Sequence, residues 1–165
     1  MKSILFFLCI LVTGLLPFSL GDSDPFRSVP DAHSATKPSA LVATEQEVRE
    51  FFGQYVERYN NKELEEFLSL FSVKARQNQR DGPPEIRKIY SDYFGQMISL
   101  QNSIEDMKIE IYQNAAEVKA RYSVNQVLKK GGEKRVLKGS ARWVLIKEGG
   151  MPKILSIDYR HDKTP

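Results

Sequence analysis

An α+β half-barrel, with helices closing over a curled sheet, is the fold class that this 165-residue chain predicts. Two observations lead there. Three segments carry apolar residues at helical spacing, and four alternating strands follow them, all between Thr44 and His161. Such an architecture makes a pocket without specifying what the pocket does.

Thr44 and Glu47 have the spacing of a capping box, and Val48, Phe51, Phe52, Tyr55, Val56 and Tyr59 then recur on one helical face. Asn60-Asn61 breaks that helix. A second begins near Lys62 with Leu64, Phe67, Leu68 and Phe71 as its stripe, and Glu63, Glu65 and Glu66 near its positive end. Val73–Arg80 reads as a polar edge strand. Asp81-Gly82-Pro83-Pro84 is a turn that starts a third helix, since proline is tolerated in a first turn. Ile86, Ile89, Tyr90, Tyr93 and Met97 form its stripe. The remainder alternates: Met107, Ile109 and Ile111 share a face, and Ala116, Val118, Ala120, Tyr122 and Val124 oppose Glu117, Lys119, Arg121, Ser123 and Asn125. Gly131-Gly132 marks a hairpin, after which Leu137, Gly139, Ala141, Trp143 and Leu145 share a face. Gly149-Gly150 makes the next turn, and Ile154–His161 is the last strand. Hairpin-linked neighbours predict an antiparallel sheet with one face under the three helices.

Met1–Gly21 reads as a signal peptide: Lys2, an apolar run from Ile4 to Leu16, Pro17, then small residues Ser19 and Gly21 before a cut at Asp22. An uncleaved anchor fits less well, because a span usually needs about 20 apolar residues and Gly14 and Pro17 interrupt this run. Residues 22–43, rich in proline and small polar side chains, read as a mobile linker in which His33 is a passenger. The domain proper is 44–161, and 162–165 is a tail. Cys9, the only cysteine, lies in the signal, so the exported domain must hold together by its core alone. With 24 Lys+Arg, one of them in the signal, against 21 Asp+Glu, charge is nearly balanced. That argues against a dedicated polyanion binder, and nucleic acid is not expected as a partner.

The stretch YVERYNNKELEEFLSLFS (Tyr55–Ser72) resembles the opening helix pair of the SnoaL-like, or nuclear-transport-factor-two-like, superfamily, and RWVLIKEGGMPKILSIDY (Arg142–Tyr159) resembles its closing strands. The chain is also similar to domains attached to exported bacterial cell-wall proteins, including some transpeptidases. The resemblance implies a cone-shaped, cystatin-like barrel: three N-terminal helices on a curved antiparallel sheet, with a pocket at the open end. Its members include isomerases, dehydratases, cyclases and pure binding modules. Against the steroid isomerases, the oxyanion-donating tyrosine falls on Tyr55. The general base would fall near Gln79, which cannot accept a proton, and Asp81 fits only with a two-residue slip. The dehydratases lean on a pair of pocket histidines, whereas this domain has His161 alone. The same scarcity argues against a metal site, and no phosphate loop or nucleophile elbow appears. No cofactor is expected.

Tyr55, Tyr59, Tyr90, Tyr93 and Tyr122 are the pocket candidates: core packing is their ordinary role, and converging hydroxyls that orient a polar ligand are the functional one. Trp143 is core or a stacking platform. Asp158, in LSIDYR, is either an acid raised by apolar surroundings or a surface partner of Arg121 or Arg142, because Ile154/Ser156/Asp158 and Leu155/Ile157/Tyr159 are equally plausible inner faces. His161 reads as tail. Lys129, Lys130, Lys134, Arg135 and Lys138 crowd one hairpin, either as a solvated tip or as a contact for an anionic envelope surface. The preferred function is a periplasmic or secreted non-catalytic domain that binds a small molecule or an envelope protein. The alternatives are a lyase or isomerase using Tyr55 and Asp158, and an accessory module for peptidoglycan-processing enzymes. A homodimer through the outer sheet face would use Val136, Val144 and Ile146.

Overall fold

A computed structural model describes residues 41–163. The signal peptide, the linker up to residue 40 with His33, and the last two residues of the tail lie outside the described residues. Three helices and five strands follow in the order α1 (Glu45–Asn61), α2 (Leu64–Leu68), β1 (Phe71–Gln77), α3 (Pro83–Gln96), β2 (Met97–Ile111), β3 (Ala116–Leu128), β4 (Lys134–Glu148) and β5 (Met151–His161).

Helix α1 starts with the capping box its sequence predicts. The Glu47 amide donates to Thr44 Oγ1 at 3.1 Å, and the Thr44 amide donates to the Glu47 carboxylate at 2.6 Å. It stops after Asn61, where Lys62 takes a left-handed conformation (φ 58°). Val42 and Ala43, assigned by sequence to the linker, belong to the fold: Ala43 is buried and the Val42 amide donates to the Tyr112 carbonyl at 3.0 Å. No helix among the described residues is long and apolar enough to cross a membrane.

The strands form one sheet in the order β1-β5-β4-β3-β2. Four strands form the expected antiparallel meander, but β1 pairs parallel to β5. The hairpin rule could not have foreseen this pair. It governs strands joined by a tight turn, whereas α3 and three strands separate β1 from β5. Nor is β1 polar throughout. It begins at Phe71, which sequence had placed on the second helix, and Phe71, Ser72, Ala75 and Gln77 are buried. It ends before Asn78 and Gln79, whose positive φ angles turn the chain toward α3.

Strand β2 starts ten residues earlier than the alternation suggests, and a register break explains why. Leu100 and Asn102 are buried and Ile104 packs against the core, all even-numbered. The pairing then slips between Glu105 and Lys108, with Asp106 at φ 53°, and Met107, Ile109 and Ile111 take over the inner face. Its outer edge is covered by the end of α1. Asn60 Oδ1 accepts from the Asn102 amide at 2.6 Å, and Lys62 Nζ donates to the carbonyls of Met97 and Ile98 at 3.0 and 2.8 Å.

Aromatic rings join the helices to the sheet. Phe67 of α2 is fully buried, 5.1 Å from Tyr55 and 4.7 Å from Tyr90 between ring centroids. Phe52 meets Trp143 of β4 edge to face at 5.0 Å. On α3 the buried stripe is Ile86, Tyr90 and Phe94. Ile89 is exposed and Tyr93 half-buried, while Phe94, absent from the sequence reading, lies in the core. Phe67→Ala is expected to cost about 3–5 kcal/mol, because a wholly enclosed ring would leave a cavity. Urea unfolding should show a lower midpoint with an unchanged slope.

Candidate functional site

A cavity of about 190 Å³ opens between the helices and the inner face of the sheet. From the helices come Tyr55, Tyr59, Tyr90 and Tyr93. The sheet contributes Tyr122, Trp143, Tyr159 and His161. A cavity of about 150 Å³ is enough for a benzene-sized guest, so this one accommodates a single ring with a substituent.

All five sequence-predicted tyrosines and Trp143 therefore reach one site. Asp158 does not. The pairing of β4 with β5 runs Leu145 to Ile154 and Val144 to Ser156, which leaves Leu155 as an extra residue. That bulge settles which side chains of β5 point inward. Ile154 is buried before it and Ile157 after it, so Tyr159 and His161 follow Ile157 to the cavity, and Asp158 is turned to the other face. There it stands opposite Arg142, whose Nη1 is 3.8 Å from its carboxylate. Arg142 also donates to Glu117, and the Arg142 and Lys119 side chains hold the Glu117 carboxyl down at about 2. The acid considered for catalysis is thus part of an ion-pair network on the outer face. Gln79 and Asp81 also lie away from the cavity; Asp81 bridges to Gln77 and pairs with Arg80. Val136, Val144 and Ile146 share that outer face, with Arg142 and Lys138 interspersed among them on β4.

Three polar cavity residues, Tyr159, His161 and Asn102, escaped sequence reasoning. His161, read as tail, accepts or donates through Nδ1 to the Tyr122 hydroxyl at 2.7 Å. Its ring packs edge-on to Tyr159 with centroids 5.5 Å apart. The alternation Ile157, Tyr159, His161 was the available signal, provided the inner face had been chosen correctly. Asn102, on the half of β2 that had not read as a strand, presents a buried amide whose Oδ1 has no hydrogen-bond partner.

Burial dominates the protonation of the phenols. It pushes Tyr55 up to about 12, against a smaller opposing pull from the Trp143 indole N–H and the Tyr90 hydroxyl. The indole falls short of hydrogen-bond geometry, and Trp143 Nε1 stays without a partner. Burial also raises Tyr59, Tyr90 and Tyr93, and lifts Tyr122 to about 12. The Tyr93 hydroxyl donates to Gln126 Oε1 at 2.6 Å. These hydroxyls are neutral donors and acceptors at physiological pH.

Tyr122 lies flat across its cross-strand neighbour Gly139. A Cβ there would come within 2.5 Å of the Tyr122 hydroxyl and 2.2 Å of the Arg160 carbonyl. The glycine is what lets the phenol cross the strand and reach His161.

No protein-family model matches the chain, and no curated protein matches its sequence. Similar solved structures are numerous. A candidate scytalone dehydratase from Novosphingobium aromaticivorans superposes with a TM-score of 0.66 at 14% identity, over 73% of this chain and 85% of that one. A nuclear transport factor 2-like superfamily protein from Salmonella enterica serovar Typhimurium gives 0.65 at 18% identity, over 72% and 91%. A protein of unknown function with a cystatin-like fold from Nostoc punctiforme gives 0.59 at 12%, over 73% and 92%. The fold is the nuclear-transport-factor-two-like, cystatin-like α+β fold, in which enzymes and proteins of unknown role both occur.

Two measurements check this site. Because the folded phenols titrate above their unfolded value of about 10, they add stability that is complete below pH ~10. Unfolded chains release those protons first, so stability should fall between pH ~10 and ~12, and Tyr55→Phe should flatten that decline. Separately, Gly139→Ala should destabilise by about 1–3 kcal/mol, since the backbone carbonyl of Arg160 cannot give way; thermal melts will read it.

Proposed function

We propose that the chain is an exported, non-catalytic domain of the bacterial cell envelope whose tyrosine-walled cavity holds a single-ring small molecule. Export rests on the signal-like Met1–Gly21. Binding rests on the cavity itself: a ring-sized space with aromatic walls and neutral hydroxyls around it. One observation carries the non-catalytic part. Asp158, the acid that sequence offered for proton transfer, sits on the opposite face of the sheet beside Arg142.

A second reading is favoured by a different contact. His161 can exchange a proton, and Tyr122 holds its Nδ1 at the cavity mouth. A lyase or isomerase built on this fold would use His161 as its base, with Tyr55 polarising the substrate oxygen.

Trp143 is the single tryptophan and lines the cavity, so its fluorescence should report occupancy. Small-molecule extract of the purified full chain should contain a ring compound that shifts this emission when added back. Asp158→Asn should bind it within about twofold of the parent. Tyr55→Phe should weaken it about threefold to tenfold, the effect of one neutral hydrogen bond. Conversion of the compound by the parent protein, lost in His161→Phe, would replace the binding reading with the enzymatic one.

A further inference from the structure

Among the residues lining the cavity, His161 alone carries an imidazole; the others are phenols, an indole, an amide and hydrocarbons. It is exposed at the mouth, so a charged partner there keeps part of its hydration. Its orientation is imposed from several sides. Tyr122 of β3 takes Nδ1, Tyr159 packs on the ring, and the next residue is anchored: Arg121 grips the Asp162 carboxylate at two points, and the Asp162 amide donates to the Lys138 carbonyl at 2.9 Å. Gly139 gives Tyr122 the room to make its contact.

Tyr122 engages Nδ1, which leaves Nε2 as the nitrogen to meet a ligand. With the Tyr122 hydroxyl donating to Nδ1, the ring hydrogen sits on Nε2 and is offered to an acceptor. Asp162, the next residue in the chain, is paired with Arg121.

We infer that His161 is the ligand-reading group of this cavity, and that its ligand is a single-ring carboxylic acid with the ring among the tyrosines and the carboxylate at the mouth. This rests on the binding reading above and adds the ligand class to it. The interior supplies neutral groups for a ring, and the mouth supplies one donor for one anionic oxygen.

Benzoate and toluene, which share the ring and differ in the carboxylate, test the inference on the full chain by Trp143 fluorescence. Benzoate should bind more tightly than toluene. His161→Phe should weaken benzoate about tenfold, as expected for a hydrogen bond to a charged group, and leave toluene within about twofold. Tyr122→Phe should weaken benzoate severalfold by releasing the imidazole. His161→Gln, which keeps a donor, should fall between the parent and His161→Phe, and it serves if the phenylalanine variant does not fold. Equal losses for both ligands would mean a structural role and overturn the inference, as would benzoate binding that ignores His161. Toluene bound with benzoate excluded would overturn it while the pocket reading stood. If neither bound, both would fall.

Discussion

Phe67 meets Tyr55 on one side and Tyr90 on the other, while Phe52 stands edge-on to Trp143 of the sheet. Through these contacts a five-residue helix, which could not persist alone, is clamped between two longer ones and the strands. Rings set edge to face hold two layers apart as firmly as they hold them together. Bulky, rigid side chains cannot collapse into the space between α3 and the strands, and the cavity is the volume they leave unfilled. The same residues are therefore core at their ring faces and site at their hydroxyls. Removing solvent from them fixes their chemistry as well, because buried phenols stay protonated.

Two irregularities in pairing decide what the sheet presents to that space. The slip near Asp106 lets β2 keep an apolar inner face along its length, and the extra residue at Leu155 turns β5 over between Ile154 and Ile157. A one-residue change in register moves every later side chain to the other face. At β5 the consequence is chemical. Tyr159 and His161 enter the site, and Asp158 leaves it for the ion pairs of Arg142 and Glu117. Had the strand run straight, a carboxylate would have faced the tyrosines in place of an imidazole.

The two faces of the sheet consequently have opposite characters. Around the cavity the inner one is aromatic, with His161 at its edge. The outer one is laced with pairs such as Arg121–Asp162 and Lys119–Glu117, which leave solvent-exposed Val136 beside charged neighbours. Arg121 links the two, since its grip on Asp162 at the surface fixes the backbone that carries His161.

Much of this was written in local sequence. The Thr44–Glu47 cap, the stripe through Phe52, Tyr55 and Tyr59, the proline start of α3 and the glycine turns at 131–132 and 149–150 each specify themselves through nearest neighbours along the chain. They sufficed for the α+β class and for gathering five tyrosines and Trp143 in one place. The parallel pairing of β1 with β5, the early start of β2 and the orientation of Asp158 and His161 were not legible there. Each depends on which strand lies alongside and where its partner is one residue longer or shorter. Period-two alternation names two faces without saying which one is inside, and only the partner strand supplies that choice.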